Sequence, residues 1–325
     1  MEMHTISSEA EVDRSYGKIA LVGFLGVASA FGAAYFLRQF LAGGVWWSGL
    51  AAGSLVLAYL VVFVLQAVLI KGHRRLYLIV FCEALALSGV FYDLRLGWLA
   101  AAFFSPLVLL MVGTRGAKEE VEERVKVKIS KIAERGVRSA FSGLSLFITV
   151  VYIGAAMMNG TIISREAFLQ LMLPANSVIG YIYPGISLAD TFADAARTVV
   201  GEQLANTPGA ESLNEAQKVL LINSGIQELR KQLSVYLGGQ IQVTDVLSDI
   251  LYDGTMKKFL ELSTGLQQGI WALLGVLVFF GVRSVGFVVI PLVSFLASAL
   301  FQVLILTKFV ERFLEPRSRE FVIMK

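Results

Sequence analysis

Glu83 is the one acidic side chain lying well inside an apolar segment, the run Leu76 to Tyr92. A carboxylate in hydrocarbon is costly unless it is protonated, paired or reached by water, so this position is a candidate for chemistry by default. Two roles suit it. Glu83 could couple proton or cation movement, or it could be a protonated structural group hydrogen-bonded to a neighbour such as Gln66 or Tyr59. Other chemistries lack their residues. The only histidines are His4 and His73, one in the polar start of the chain and one in a basic turn, so no His-based metal site or His-paired nucleophile can be assembled within the membrane. Cys82 is the single cysteine, which excludes an intrachain disulfide and any Cys cluster.

The elements that must hold Glu83 belong in a bilayer. The 325 residues are 56% hydrophobic and 16% charged, and the mean hydropathy is +0.69, far from the balance of a soluble domain. Charge-free apolar runs long enough to span hydrocarbon recur along the chain. The fold class expected is all-α: a polytopic transmembrane helical bundle with seven or eight crossings and a helical domain inserted between the fifth helix and the last two.

Residues 1–17 are polar and acidic. Residues 18–113 form a four-helix transmembrane region, with helices expected at Lys18–Leu41, Trp46–Ile70, Leu76–Tyr92 and Trp98–Gly113. The first is read as a retained helix rather than a cleaved signal. Residues 114–138 are charged and place Val121, Val125, Ile129 and Ile132 on one stripe, which predicts an amphipathic connecting helix. Its basic residues, including Lys126, Lys128, Lys131, Arg135 and Arg138, are candidates for contact with anionic lipid head groups. Residues 139–158 are the fifth transmembrane helix.

Residues 159–267 read as a helical non-membrane domain. Ser187 to Asp190 resembles a helix start, Ser212-Leu-Asn-Glu215 has capping-box spacing, and Gly238-Gly239 marks a helix end. Thr244 and Thr255 are candidate caps for two further short helices. Within this domain, residues 167–189 carry no charge and could form an extra crossing or a re-entrant segment, despite two prolines. The final apolar block, residues 268–308, contains Gly281-Val-Arg283-Ser-Val-Gly286 and predicts a transmembrane hairpin turning at Arg283, an interface anchor. Residues 309–325 are a basic tail.

The basic residues impose an orientation with the N-terminus cytoplasmic, in a plasma or inner membrane: Lys18, Lys71, Arg74, Arg75 and the cations of 115–138 fall inside, against Arg38 and Arg95 outside. Seven crossings would then leave the basic tail outside, in conflict with the rule, and an eighth crossing at 167–189 would return it. Gly49/Gly53 and Gly265/Gly269 have small-xxx-small spacing suited to helix packing or homo-oligomer contact.

Several motifs fail. Glu119-Glu-Val-Glu-Glu-Arg124 has the EExxxR spacing of CAAX-type intramembrane proteases, but that family also needs histidines on later helices and none follows His73. No phosphate-binding glycine loop is present, no cofactor is expected, and no basic stripe interleaved with aromatics suggests nucleic acid. The expectation is a non-enzymatic structural or assembly component whose inserted domain meets an unidentified protein partner. The alternative is a small-solute or ion transporter or channel with Glu83 as its coupling group.

Overall fold

A computed structural model of the chain describes residues 16–123, 128–161, 163, 165–182, 184–208, 213–315 and 319–324. These form α1 (Tyr16–Gly43), α2 (Trp46–Leu69), α3 (His73–Gly89), α4 (Leu96–Glu123), α5 (Ile129–Asn159), α6 (Arg165–Ile182), α7 (Phe192–Ala205), α8 (Glu215–Leu237), α9 (Leu247–Glu261) and α10 (Thr264–Leu306). A ribbon of two antiparallel strands, β1 (Val310–Glu315) and β2 (Arg319–Met324), follows, with Val310 opposite Met324 and Glu315 opposite Arg319. Among the described residues, α1, α2, α4, α5 and α10 are long and apolar enough to cross a membrane. The chain is an integral membrane protein whose apolar helices contact lipid. It divides into two compact units, Met1–Met158 with Leu273–Lys325, and Asn159–Ala272.

In the first unit, α3 has 17 residues and packs between α1 and α4, burying Leu76, Val80, Ala84 and Leu87. Its two ends are marked by polar contacts. Arg38, near the end of α1, donates to the carbonyl of Val90 at 2.8 Å and pairs with Asp93 at 3.3 Å. At the other end, Lys118 of α4 donates to the carbonyl of Ile70, which caps α2. The helices thus run alternately up and down. Lys18 closes the arrangement: its ammonium donates to the carbonyl of Phe309 at 3.0 Å and lies 4.3 Å from the ring centre, so the start of α1 and the chain beyond α10 meet at one face.

Three sequence expectations are corrected here. Residues 114–138 are not a separate helix; α4 continues to Glu123 and α5 begins at Ile129. Nothing after Gly113 breaks the helix, and the Thr114 hydroxyl bonds back to Leu110 within it at 2.8 Å. The expected stripe is therefore split, with Val121 on α4, Ile129 and Ile132 on α5, and Val125 and Lys126 outside the described residues. Residues 268–308 are not a hairpin either, because α10 runs unbroken for 43 residues through Gly281 and Arg283. Ser284 bonds back to the carbonyl of Gly281 at 2.7 Å, and a helix of this length is about 64 Å long. The tail is the β1–β2 ribbon, in keeping with the β-favouring residue types of the sequence Phe321-Val-Ile323.

The second unit packs Phe192, Ala196, Ile226, Ile241 and Ile250 into a core of its own. Its helix starts differ from the expected ones. Thr191 caps α7, accepting from the Asp194 amide at 3.3 Å, while Ser187 and Asp190 close a turn before it. Asn214 and Gln217 form the capping box of α8; Ser212 lies outside the described residues. Gly238, at φ 69°, ends α8 as read from the sequence. Thr244 and Thr255 cap nothing, since α9 is one helix beginning after Val246. Within 167–189, α6 ends at Ile182 and is not among the five membrane-length helices.

Helices α4 and α5 approach closely at two glycines, where a Cβ on Gly113 would stand 2.7 Å from the Gly136 carbonyl and one on Gly136 would stand 2.9 Å from the Ala117 Cβ. Gly136→Leu should therefore cost about 1–3 kcal/mol by overpacking and lower the melting temperature in detergent. Gly53→Ala, with open space around the position, should leave it unchanged or slightly raised. A Gly136→Leu variant as stable as the parent would contradict this contact.

Candidate functional site

Glu83 is brought into contact with Gln66 and Tyr59 by the crossing of α1, α2 and α3. Gln66 and Tyr59 lie seven residues apart, two helical turns, and so share one face of α2. Glu83 meets that face from the middle of α3. The Gln66 amide nitrogen donates to one Glu83 oxygen at 2.7 Å, and the Tyr59 hydroxyl donates to the other at 3.1 Å. The same amide nitrogen reaches the Val22 carbonyl of α1 at 3.2 Å. Glu83 and Gln66 are 0% exposed and Tyr59 is 1% exposed, so the cluster is sealed within the bundle.

Gly26 makes the crossing possible. A Cβ there would collide with both the Glu83 carboxyl and the Gln66 amide. The absence of a side chain on α1 thus provides the room into which two polar groups from α2 and α3 fit. The bond to Val22 also sets the amide orientation, since exchanging nitrogen and oxygen would turn an acceptor toward the Val22 carbonyl. In this orientation the Gln66 oxygen is buried without a partner among the described residues. The tyrosine hydroxyl can donate to a carboxylate or accept from a carboxylic acid, so the Tyr59 contact is compatible with either form of Glu83.

The remaining candidates are dispersed. Arg135 pairs with Glu119 at 2.9 Å and Glu120 at 3.5 Å, bridging α5 to α4. Lys131 and Arg138 both pair with Glu134 at 3.3 Å. Lys128 is exposed just ahead of α5, and Lys126 lies outside the described residues. Arg283 sits in the middle of α10, half-buried, at no turn; a Cβ on Gly286 would meet its guanidinium and the Phe141 ring at 2.9 Å each. Gly49 packs on the Phe40 ring, whereas Gly53, Gly265 and Gly269 face open space within the chain.

Three contributors escaped the sequence reading. Gly26 was one of several small residues in the first helix, and nothing in its spacing marks it as the point of contact. The Val22 carbonyl has no side-chain signal. Lys118 belonged to a charged stretch, yet it is 5% exposed and its ammonium reaches the Ile70 carbonyl at the end of α2, where a cation complements the helix dipole.

Compared with family models, with curated proteins and with solved structures, the chain matches none.

Removing the carboxyl should expose the energetics of the cluster. Glu83→Ala strands the Tyr59 hydroxyl and one N–H of the Gln66 amide, whose other bond to Val22 remains, at about 1–3 kcal/mol for each unpaired group. Tyr59→Phe should cost less, about 0.5–1.5 kcal/mol. Glu83→Gln preserves shape and one acceptor and should be the mildest change at residue 83. Unfolding in mixed micelles measures all three, and an unaltered Glu83→Ala would contradict the cluster as a stabilising element.

Proposed function

We propose that the protein is a non-enzymatic membrane component that assembles with a protein partner through the outer side of α8, the membrane unit acting as its anchor. The observation that carries this is the double apolar character of α8. One stripe, Ile222, Ile226, Leu229, Leu233 and Leu237, faces the core of the second unit. A second set, Leu220, Leu221, Val235 and Tyr236, is exposed. Between the exposed groups lie Ser224, Gln227, Glu228 and Lys231. Exposed apolar anchors interspersed with polar and charged side chains suit a partly polar protein interface and would be rejected by hydrocarbon.

The sealed state of Glu83 supports an anchor over a transport path, because its two oxygens are occupied by Tyr59 and Gln66 and no part of it is exposed. Coupling through this residue would require the cluster to open alternately to both sides.

The proposed topology has six passes, α3 counted with the five longer helices. Lys18, Lys71, Arg74, Arg75, the cations of 115–138 and those of the ribbon then share the cytoplasmic face, with Arg38 and Arg95 opposite, as the charge bias requires. The membrane is a plasma or inner membrane, and the second unit lies on its non-cytoplasmic side.

Photo-crosslinking from Leu220 and Tyr236 in native membranes tests the interface. Expected is one discrete adduct with another protein, lost on Val235→Glu without a change in melting temperature and retained in Glu83→Gln. Adducts with lipid only, with a second copy only, or an adduct indifferent to Val235→Glu would overturn the proposal. So would a pH-dependent flux in proteoliposomes abolished by Glu83→Gln.

A further inference from the structure

Helix α6 is pinned on one side and open on the other. On its inner side Phe168 is buried and meets the Tyr252 ring of α9 edge-on, with ring centres 5.5 Å apart. The Tyr252 hydroxyl donates to the Ile163 carbonyl at 3.0 Å, and Arg165 donates to Asp249 of α9 at 2.8 Å. Near the far end, the Asn176 side chain accepts from the Leu188 amide at 2.8 Å. The outer side presents Leu169, Leu173, Pro174, Val178 and Tyr181, with Leu173 64% and Tyr181 90% exposed. Glu166 and Gln170, in the first two turns, are the polar side chains described on that side.

We infer that α6 lies flat on the bilayer surface, with this outer side sunk into the interfacial zone where α5 leaves the membrane. The chain gives it little freedom to be elsewhere. Residues 160–164 alone separate α5 from α6, a reach of roughly 20 Å. The helix that α6 is fastened to, α9, is followed after Leu262 and Ser263 by α10, which enters the membrane unit. Both covalent connections of the second unit to the membrane therefore bracket α6.

Its chemistry fits the same place. Tyr181 combines an apolar ring with a hydroxyl, the pattern of a side chain at headgroup depth. Pro174 supplies no amide to the Gln170 carbonyl, a group that interfacial water can satisfy. Arg165, the one cation of the helix, is held by Asp249. Attachment accordingly comes from apolar burial and needs no anionic lipid. On the outer side of α6 the described polar side chains, Glu166 and Gln170, stand in the first two turns and leave Leu173 to Tyr181 apolar, whereas Glu228 and Lys231 interrupt the outer side of α8 at its centre.

The test uses the full chain with Cys82→Ser, which removes the exposed natural thiol. An environment-sensitive fluorophore is attached through Leu173→Cys, Tyr181→Cys or, as control, Gln227→Cys on α8, and each is reconstituted in phosphatidylcholine nanodiscs. Spin-labelled lipid carrying its quencher high on the acyl chain should remove most of the emission at both α6 positions and none at residue 227. Added phosphatidylserine should change nothing. Water-like emission without quenching at both α6 positions would overturn the inference. Shielded emission that lipid does not quench would overturn it as well, since that reports contact with a second copy, and so would quenching that requires phosphatidylserine.

Discussion

Within hydrocarbon, a peptide group that leaves a helix finds no water to replace its hydrogen bond, and this penalty governs the path of the whole chain. Its clearest consequence is α10. The segment Gly281 to Gly286 holds two glycines and an arginine, which in water would favour a turn, yet turning there would strand several amides and carbonyls in lipid. Continuing the helix keeps every one of them bonded, and Ser284 folds its hydroxyl onto the Gly281 carbonyl. Because α10 passes once where a hairpin would pass twice, its far end meets the start of α1, where Lys18 binds the Phe309 carbonyl.

The same penalty applied to side chains shapes the bundle interior. Glu83 is tolerated because Tyr59 and Gln66 supply donors to both of its oxygens, and Gln66 is oriented by a backbone carbonyl of a third helix. Gly26 lets α1 come close enough to take part. Polar satisfaction and close packing are thus one feature: a side chain on Gly26 would separate the helices and break the bonds together. At the membrane edges, Lys118 and Arg38 reach carbonyls at the ends of α2 and α3, satisfying groups that helix termini leave open.

Much of this was legible in the residues. The runs that became α1, α2 and α3 were recognisable from length and hydropathy, as was the end of α8 at Gly238. Glu83, Gln66 and Tyr59 stood out because polar groups are rare in such runs. Contacts that depend on which helix faces which were not legible. The spacing of Gly49 and Gly53 was as suggestive as that of any pair, but close approaches between helices of the first unit fall at Gly26, Gly113 and Gly136, while Gly53 faces open space. The charged stretch 114–138 concealed two helix ends, since charge marks emergence from the membrane and not the end of a helix. At Arg283, residues that favour a turn in aqueous loops stand inside one long apolar helix.

The single passage of α10 is the claim on which the arrangement rests, and the membrane side of its far end tests it directly. In a Cys82→Ser background, Gly17→Cys, Thr307→Cys and Arg95→Cys can each be exposed to a membrane-impermeant maleimide in sealed vesicles of one orientation. Residues 17 and 307 should react from the same side and residue 95 from the other. Labelling of residue 307 together with residue 95 would mean that α10 turns back within the membrane, and would contradict the account.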